Sequence, residues 1–341
     1  MEYLLGKRQD FLDYLNNLKK KDKIAVISHA DLDGIASAIL IKEILKQKKL
    51  KINSISFIEY GKGMFEKTEK NFKKQINKII ISDINVDADS EGFYNLKEKY
   101  DLFVIDHHPS ELKSNNLIKT KTEDCATFAI YNLGKEKFDL TKWKWIVYAT
   151  MISEFSFKDK SNFEFIKNHY PTISLEDIYN SEPAEISKKI SSALICHKGK
   201  EEKVFNLIFK GKLKRLSKYH KIIETEIKEW IEKFKKEAEF YPEKNLYFYY
   251  GNPEHSISST IATSLSVKEP DKSFVFVSGI KEEPDFVKVS SRNNGKIEDM
   301  NLLMKKGIEG LKNANGGGHI PAAAARFMKK DLEKFKENIL R

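Results

Sequence analysis

The first half of the chain alternates short apolar, β-branched runs with longer stretches of helical spacing. "KIAVISHA", "INSISFIE", "KIIISDI" and "YDLFVIDHH" are the runs. Between them lie "DGIASAILIKEILKQ", "GMFEKTEKNFKKQIN" and "SEGFYNLKEKY", which read as helices or helix-bearing connections. This rhythm predicts a parallel sheet covered by helices. "DCATFAIYNLG" and "LTKWKWIVYATMISEFSF" continue the helical pattern, and the N-terminal "MEYLLGKRQDFLDYL" reads as an amphipathic helix. From about residue 185 the chain becomes charged and helix-like, with breaks expected near Gly199 and Gly211 and a boundary at Pro242. A second unit follows: strand "NLYFYYG", helix "SISSTIATSLSV", a hairpin from "SFVFVSG" and "DFVKVSSR", helix "IEDMNLLMKKGIEGL", then "NANGGGHIPAAAARF" and a last lysine-rich helix. The pattern predicts an α/β protein in three parts: a parallel-sheet domain over 1–185, a helical connector over 186–243 and a smaller α/β domain over 244–341.

Composition adds two constraints. No apolar run approaches the length of about 18 residues that a membrane span needs. The N-terminus lacks the basic, apolar and small-residue regions of a signal peptide. The formal net charge of +10 in 341 residues favours a polyanionic partner, although a solvated lysine surface has the same charge. Cys125 and Cys196 make neither a disulfide framework nor a metal-binding pair, so a reducing cytoplasm is the default setting.

Chemistry gathers at the carboxyl ends of parallel strands, and the polar clusters fall there. His29, Asp31 and Asp33 follow the first run, Asp83 the third, and Asp106, His107 and His108 the fourth. Each alone is an ordinary cap or turn residue. Together they crowd like charges onto one rim, which repel unless something cationic compensates. "SHADLDG" and "SDINVD" contain no lysine or arginine, so a metal cluster is the better compensation. Imidazole with carboxylate and no thiolate points to Mn²⁺ or Mg²⁺ rather than to structural zinc.

"HADLDG", "SDIN" and "IDHH", in that order, resemble the DHH phosphoesterase family, which includes RecJ exonucleases, nano-RNases and cyclic-dinucleotide phosphodiesterases. "KVSSRNNG" followed by "NANGGGHIPAAAARF" resembles the DHH-associated substrate-binding domain, with its glycine run, histidine and small-residue helix. The resemblance covers essentially the whole chain. It implies a DHH catalytic domain, the connector and a DHH-associated domain, facing each other across a cleft. It also implies two divalent cations, Mn²⁺ ahead of Mg²⁺. One would take His29, Asp31 and Asp83; the other Asp33, Asp83 as a bridge, and His107. Asp106 would hold a neighbouring histidine, and His108 would face the substrate phosphate. Gly316, Gly317, Gly318 and His319 would form an anion nest, with Arg292 gripping another phosphate oxygen.

Two positions depart from the family's pattern. An aspartate is expected after a "GI"-type turn, where this chain has "YATMISEFSF"; Glu154 is the nearest carboxylate and the expected fourth ligand. Ala324 stands where relatives usually carry glycine, and is expected to crowd the backbone slightly.

The resemblance implies a phosphodiesterase acting on single-stranded DNA or RNA by two-metal-activated water, in the manner of archaeal RecJ-like exonucleases. Its alternatives are an oligoribonuclease, a phosphoadenosine-phosphate phosphatase or a cyclic-dinucleotide phosphodiesterase, and a catalytically weak scaffold that partners a replication or repair protein such as a helicase. Other residues read more plainly. Trp143 and Trp145 are expected in the core, "YFYY" as a strand with one exposed face, and His197, His220 and His255 as surface residues without partners. "FKGKLKRLSKYHK" is either a solvated helix or a track for a nucleic-acid backbone.

Overall fold

The structure, a computed structural model, describes residues 1–72, 75–111 and 116–341. Its chain divides into two compact units, Met1–His220 and Lys221–Arg341.

The first unit runs β1 (Tyr3–Leu5), α1 (Arg8–Asn17), β2 (Ile24–His29), α2 (Leu32–Gln47), β3 (Ile52–Ile58), α3 (Met64–Lys70), β4 (Lys78–Ser82), α4 (Ser90–Lys99), β5 (Asp101–Asp106), β6 (Leu117–Thr120), α5 (Ala126–Gly134), α6 (Lys144–Ser153), α7 (Lys160–Lys167), α8 (Glu182–Cys196) and α9 (Glu201–Phe209). The first turns of α10 (Lys214–Glu237) close it. The six strands lie in the order β1-β6-β5-β4-β2-β3. Strands β2 to β6 are parallel to their neighbours, and β1 is antiparallel to β6. Two elements differ from the sequence reading. The N-terminus opens with a strand before its helix, and "LIKT" is a strand; both are too short for alternation to reveal them, and pairing with each other makes them visible. In "GMFEKTEKNFKKQIN" the helix covers only Met64–Lys70, and Lys73 and Lys74 lie outside the described residues.

Both faces of this sheet are covered, which is why its strands are nearly all apolar. Val26, Ile80, Phe103 and Ile105 join α1, α2, α5, α6, α8 and α9 in one core. Their neighbours Ala25, Ile27, Ile79, Ile81, Leu102 and Val104 face the other way, onto α3 and α4. The period of two thus sorts each strand between two cores. From β2 the chain goes one way to β3, then crosses back to β4 on β2's other side. The order therefore reverses at the carboxyl ends of β2 and β4, the place where open parallel sheets bind ligands.

Helices α8, α9 and α10 form the charged stretch, broken where Gly199 and Gly211 adopt positive φ. The second unit takes the rest of α10, then β7 (Glu239–Tyr241), β8 (Leu246–Tyr250), α11 (Ser258–Lys268), β9 (Ser273–Ile280), β10 (Glu283–Arg292), α12 (Met300–Gly307), β11 (Asn315–His319), β12 (Ala322–Met328) and α13 (Leu332–Leu340). Its sheet is ordered β11-β12-β10-β9-β8-β7, with β8–β9 its one parallel pair among the described strands. Val275, Val277, Val287 and Val289 pack against α12 and α13, while Phe274 and Phe276 meet Phe234 of α10. The expected small-residue helix after the glycine run is instead strand β12. Its alanines alternate between core and solvent, and its backbone is paired on both sides. Ladder pairing on two edges overrides alanine's helical preference.

Phe335 is fully buried and stacks on Phe327 at 4.5 Å between ring centres. Phe335→Ala is expected to cost about 3–5 kcal/mol in urea unfolding followed by tyrosine and tryptophan fluorescence; a change below about 1 kcal/mol would show that the ring is not holding this core.

Candidate metal centre

The rim at the switch point is built by short backbone devices. Asp31 caps α2, its Oδ1 accepting from the Gly34 N–H at 2.9 Å. A β-carbon at Gly34 would lie 2.0 Å from the His29 carbonyl oxygen, so α2 can start this close to β2 only through glycine. Ser28 Oγ donates to the Gly34 carbonyl at 2.8 Å and lies 2.9 Å from Ser82 Oγ, which ties the end of β2 to the end of β4. Asp83 follows β4 in the left-handed region, at φ 58°. Its N–H donates to the Ile105 carbonyl at 3.0 Å, so the next strand holds that strained turn. Asp33 is held from behind, its two oxygens accepting from the Ala126 and Thr127 N–H groups at 2.7 and 2.8 Å. Those groups begin α5, whose positive end favours a carboxylate.

Two donor groups result, and Asp83 belongs to both. His29, Asp31 and Asp83 each offer a ligand atom within 4.8 Å of the others. So do Asp83, His107 and His108. His107 Nε2 lies 3.5 Å from Asp83 Oδ1 and 3.7 Å from Asp33 Oδ2. The His107 Nδ1 contact with the Thr122 carbonyl, at 3.4 Å, assigns the proton to Nδ1 and leaves Nε2 free to ligate. Of the expected ligands, Asp33 and Glu154 belong to neither group, though Asp33 reaches His107. Glu154 caps the end of α6, half-buried, and is felt by the cluster through its charge.

Electrostatics shows what the cluster lacks. Burial, then the charges of Asp33, Asp31, Asp106 and Glu154, push the Asp83 carboxyl well above the usual range. Its Oδ2 is buried and accepts no hydrogen bond among the described residues. Burial, with Asp33 and Asp31 beside it, pushes Glu154 from 4.5 up to about 8. Burial alone would lower His29, but Asp31, 2.7 Å from its Nδ1, raises it overall. A buried carboxylate with an unoccupied oxygen, among imidazoles and other carboxylates, is the donor set of a hard divalent cation. The residues therefore fit the implied metals.

Asp106 is different because a base answers it. Lys119 Nζ, 7% exposed and supplied by β6, lies 2.7 Å from Asp106 Oδ2. Burial would raise Asp106, but His108 and Lys119 hold it low. Its other oxygen lies 2.8 Å from His108 Nδ1 and accepts that proton, so His108 Nε2 faces outward to the Tyr60 hydroxyl at 3.4 Å. Lys119 and Tyr60 were missed in the sequence. The one signal for Lys119 is a base inside an otherwise apolar, threonine-ended run. Tyr60 also lies 4.8 Å from the His29 ring and accepts from the Asn85 N–H, which places it on the rim.

In the second unit Gly316, Gly317 and Gly318 form strand β11 rather than an anion nest, since β12 pairs with each of them. Arg292, Ala322 and His319 stand opposite one another across three strands, and so on one face. Arg292 donates to Thr263 Oγ1, Ser259 Oγ and the Ser291 carbonyl, with no carboxylate paired to it among the described residues. Ala324 is exposed and lies opposite Gly317. Trp143 is buried, as expected, and Trp145 packs on the same core. The three lone histidines are half-buried and partnered: His255 lies 2.5 Å from Glu226, His220 3.1 Å from Ser192 Oγ, and His197 stands edge-on to Tyr219. Helix packing across the long α10, invisible to local sequence, brings these partners together. No described helix is long and apolar enough to cross a membrane.

Residues 23–155 match the model of the DHH family, N-terminal domain. No curated protein matches the chain by sequence. Among solved structures, the exonuclease RecJ bound to manganese is similar at a TM-score of 0.71 and 14% identity, over 97% of this chain and 92% of that one. RecJ in complex with Mn²⁺ from Thermus thermophilus gives 0.69 and 13%, over 98% of this chain but 54% of that one, so this chain spans about half its length. CDC45 from Entamoeba histolytica gives 0.60 and 11%, over 98% and 99%. At such identities the likeness is one of fold.

Carboxyls raised on folding favour the fold while protonated, so metal-free stability should fall as pH rises from 4.5 to about 8. Metal binding needs the deprotonated groups, so Mn²⁺ should stabilise more as pH rises. Thermal melts in EDTA and in Mn²⁺ across that range test both signs, and Glu154→Gln should flatten the EDTA curve. Stability in EDTA that rises over this range would contradict the crowding.

Proposed function

Starting from a chain that belongs to the DHH phosphoesterases through residues 23–155, we propose that it is a two-metal phosphodiesterase acting on single-stranded DNA or RNA as an exonuclease. One observation carries this reading: two donor groups share a buried carboxylate, Asp83, whose Oδ2 accepts no hydrogen bond among the described residues. His29, Asp31 and Asp83 would hold one divalent cation; Asp33, Asp83 and His107 would hold the second, with Glu154 as a further carboxylate beside them. Mn²⁺ suits the mixed imidazole and carboxylate set better than Mg²⁺. Bound there, such cations supply positive charge for the phosphoryl oxygens and a lowered pKa for water.

The remaining work falls to the chain's own groups. Lys119 keeps Asp106 ionised, and Asp106 holds the His108 proton on Nδ1. His108 Nε2 is thereby fixed at the mouth of the site, where in its protonated form it donates to a phosphoryl oxygen. Tyr60, 41% exposed beside it, offers a ring for a base to stack on. Arg292 has no carboxylate to neutralise it among the described residues, and with His319 on the same sheet face it supplies donors for a strand phosphate. The positive net charge supports a polyanionic substrate. The likeness in fold to CDC45 gives a replication or repair protein as a candidate partner.

Incubation with Mn²⁺ and end-labelled DNA and RNA of several lengths, beside phosphoadenosine-phosphate and cyclic dinucleotides, tests the reading. Mononucleotide ladders are expected, abolished to the detection limit by Asp83→Asn and reduced about 10²–10³-fold by His108→Ala. Glu154→Gln is expected to raise the Mn²⁺ requirement about tenfold or more. Cleavage confined to the small nucleotides would replace the substrate class, and no hydrolysis with any metal would end the enzymatic reading.

A further inference from the structure

Within the first unit, β3 is an edge strand, with one side of its backbone unpaired. A groove of about 730 Å³ lies along it, from Tyr60 at the metal centre past Lys62 and Lys67 to Lys200 and Lys203. Two of its carboxylates are already engaged: Glu59 lies 4.0 Å from Lys198, and Glu201 accepts from the Gly199 N–H at 2.5 Å. Lys203 also lines a second recess, of about 380 Å³. There the end of α8 brings His197, the end of α9 brings Lys210, the Gly211 turn brings Lys212, and the start of α10 brings Arg215 and Tyr219. No carboxylate lines this recess, and Lys203, Lys210, Lys212 and Arg215 make no ion pair among the described residues. Such concentration of positive charge is unfavourable by itself. It is more so at the start of α10, which has no acid in its first turn, because that helix end already carries partial positive charge.

We propose that a single nucleic-acid strand follows this path, from the metal centre past Tyr60, along the open edge of β3, to the recess at Lys203, Lys210, Lys212 and Arg215. This rests on the nuclease reading and gives it a strand track within the first unit. The lysines and Arg215 neutralise consecutive phosphates, and the exposed sides of the Tyr60, His197 and Tyr219 rings take bases without reading sequence. The lysine-rich run read from sequence as either solvated helix or nucleic-acid track is thereby assigned the second role.

The test is fluorescence anisotropy of labelled oligonucleotides from 2 to 16 residues, a span of about one site size, with the full chain in EDTA so that nothing is cleaved. Lys210→Ala/Lys212→Ala/Arg215→Ala is expected to weaken binding about tenfold or more, and to lower the slope of log affinity against log salt by about 2, near 0.7 for each phosphate left without its cation. The weakening should grow with strand length. Lys20→Ala/Lys137→Ala/Lys167→Ala removes the same charge elsewhere on the unit and is expected to bind as wild type. If the triple recess variant fails to melt cooperatively, Lys210→Ala alone carries the test, with a slope change near 0.7. Equal weakening by both triple variants, or by neither, overturns the track while leaving hydrolysis untouched. Wild-type binding of ATP without binding of strands also overturns it. Absence of hydrolysis by the wild type is a separate failure, of the activity, and the binding arm still decides the recess.

Discussion

Everything at the rim depends on one awkward group, the Asp83 carboxylate. It is buried, sits on a strained left-handed residue between two central strands, and is surrounded by Asp31, Asp33, Asp106 and Glu154. Among the described residues no lysine or arginine pairs with it. Lys119 comes up from β6 and is committed to Asp106. That division sorts the acids into two kinds. Asp106 is neutralised internally and acts as a fixed support for His108. Asp83 and its neighbours are left electrically incomplete, which is the condition under which a divalent ion binds strongly to hard ligands.

The sheet makes this crowding tolerable. Ser28, Gly34 and Ser82 knit the ends of β2 and β4 together through hydrogen bonds that involve no charged side chain. Asp33 is held by the first N–H groups of α5, and His107 by the Thr122 carbonyl. Asp33 and His107 are therefore aimed by backbone belonging to other elements, and the two apolar cores above and below the sheet keep those elements in place. The geometry is set before any ligand arrives, which lowers the reorganisation needed to bind one.

Much of this was legible in the chain. The alternation of β-branched runs and helical spacings places His29, Asp31, Asp33, Asp83, Asp106 and His107 at strand ends, because burial on both faces leaves polar residues only where a parallel strand stops. What remained hidden needed pairing over distance. β1 and β6 are three and four residues long and exist as strands by virtue of each other and of β5. Lys119 gained its meaning only once β6 lay beside β5, and Tyr60 only once the turn after β3 folded over His29. The alanine run misled for the same reason: its intrinsic preference is helical, and two flanking strands decide otherwise. The histidines read as lone surface residues met their partners across helices up to 29 residues apart in sequence.

Strand β11 carries a different lesson. Three successive glycines run antiparallel to a row of alanines, so this edge of the sheet carries almost no side-chain material on either face. At Gly318 an added β-carbon would fall 2.6 Å from both the Ala322 oxygen and the Ala323 α-carbon. Gly318 is thus nearly closed to substitution, since every alternative brings the same atom. A position that admits no side chain sets how closely β11 can lie against β12, and with it the contour of the whole sheet edge.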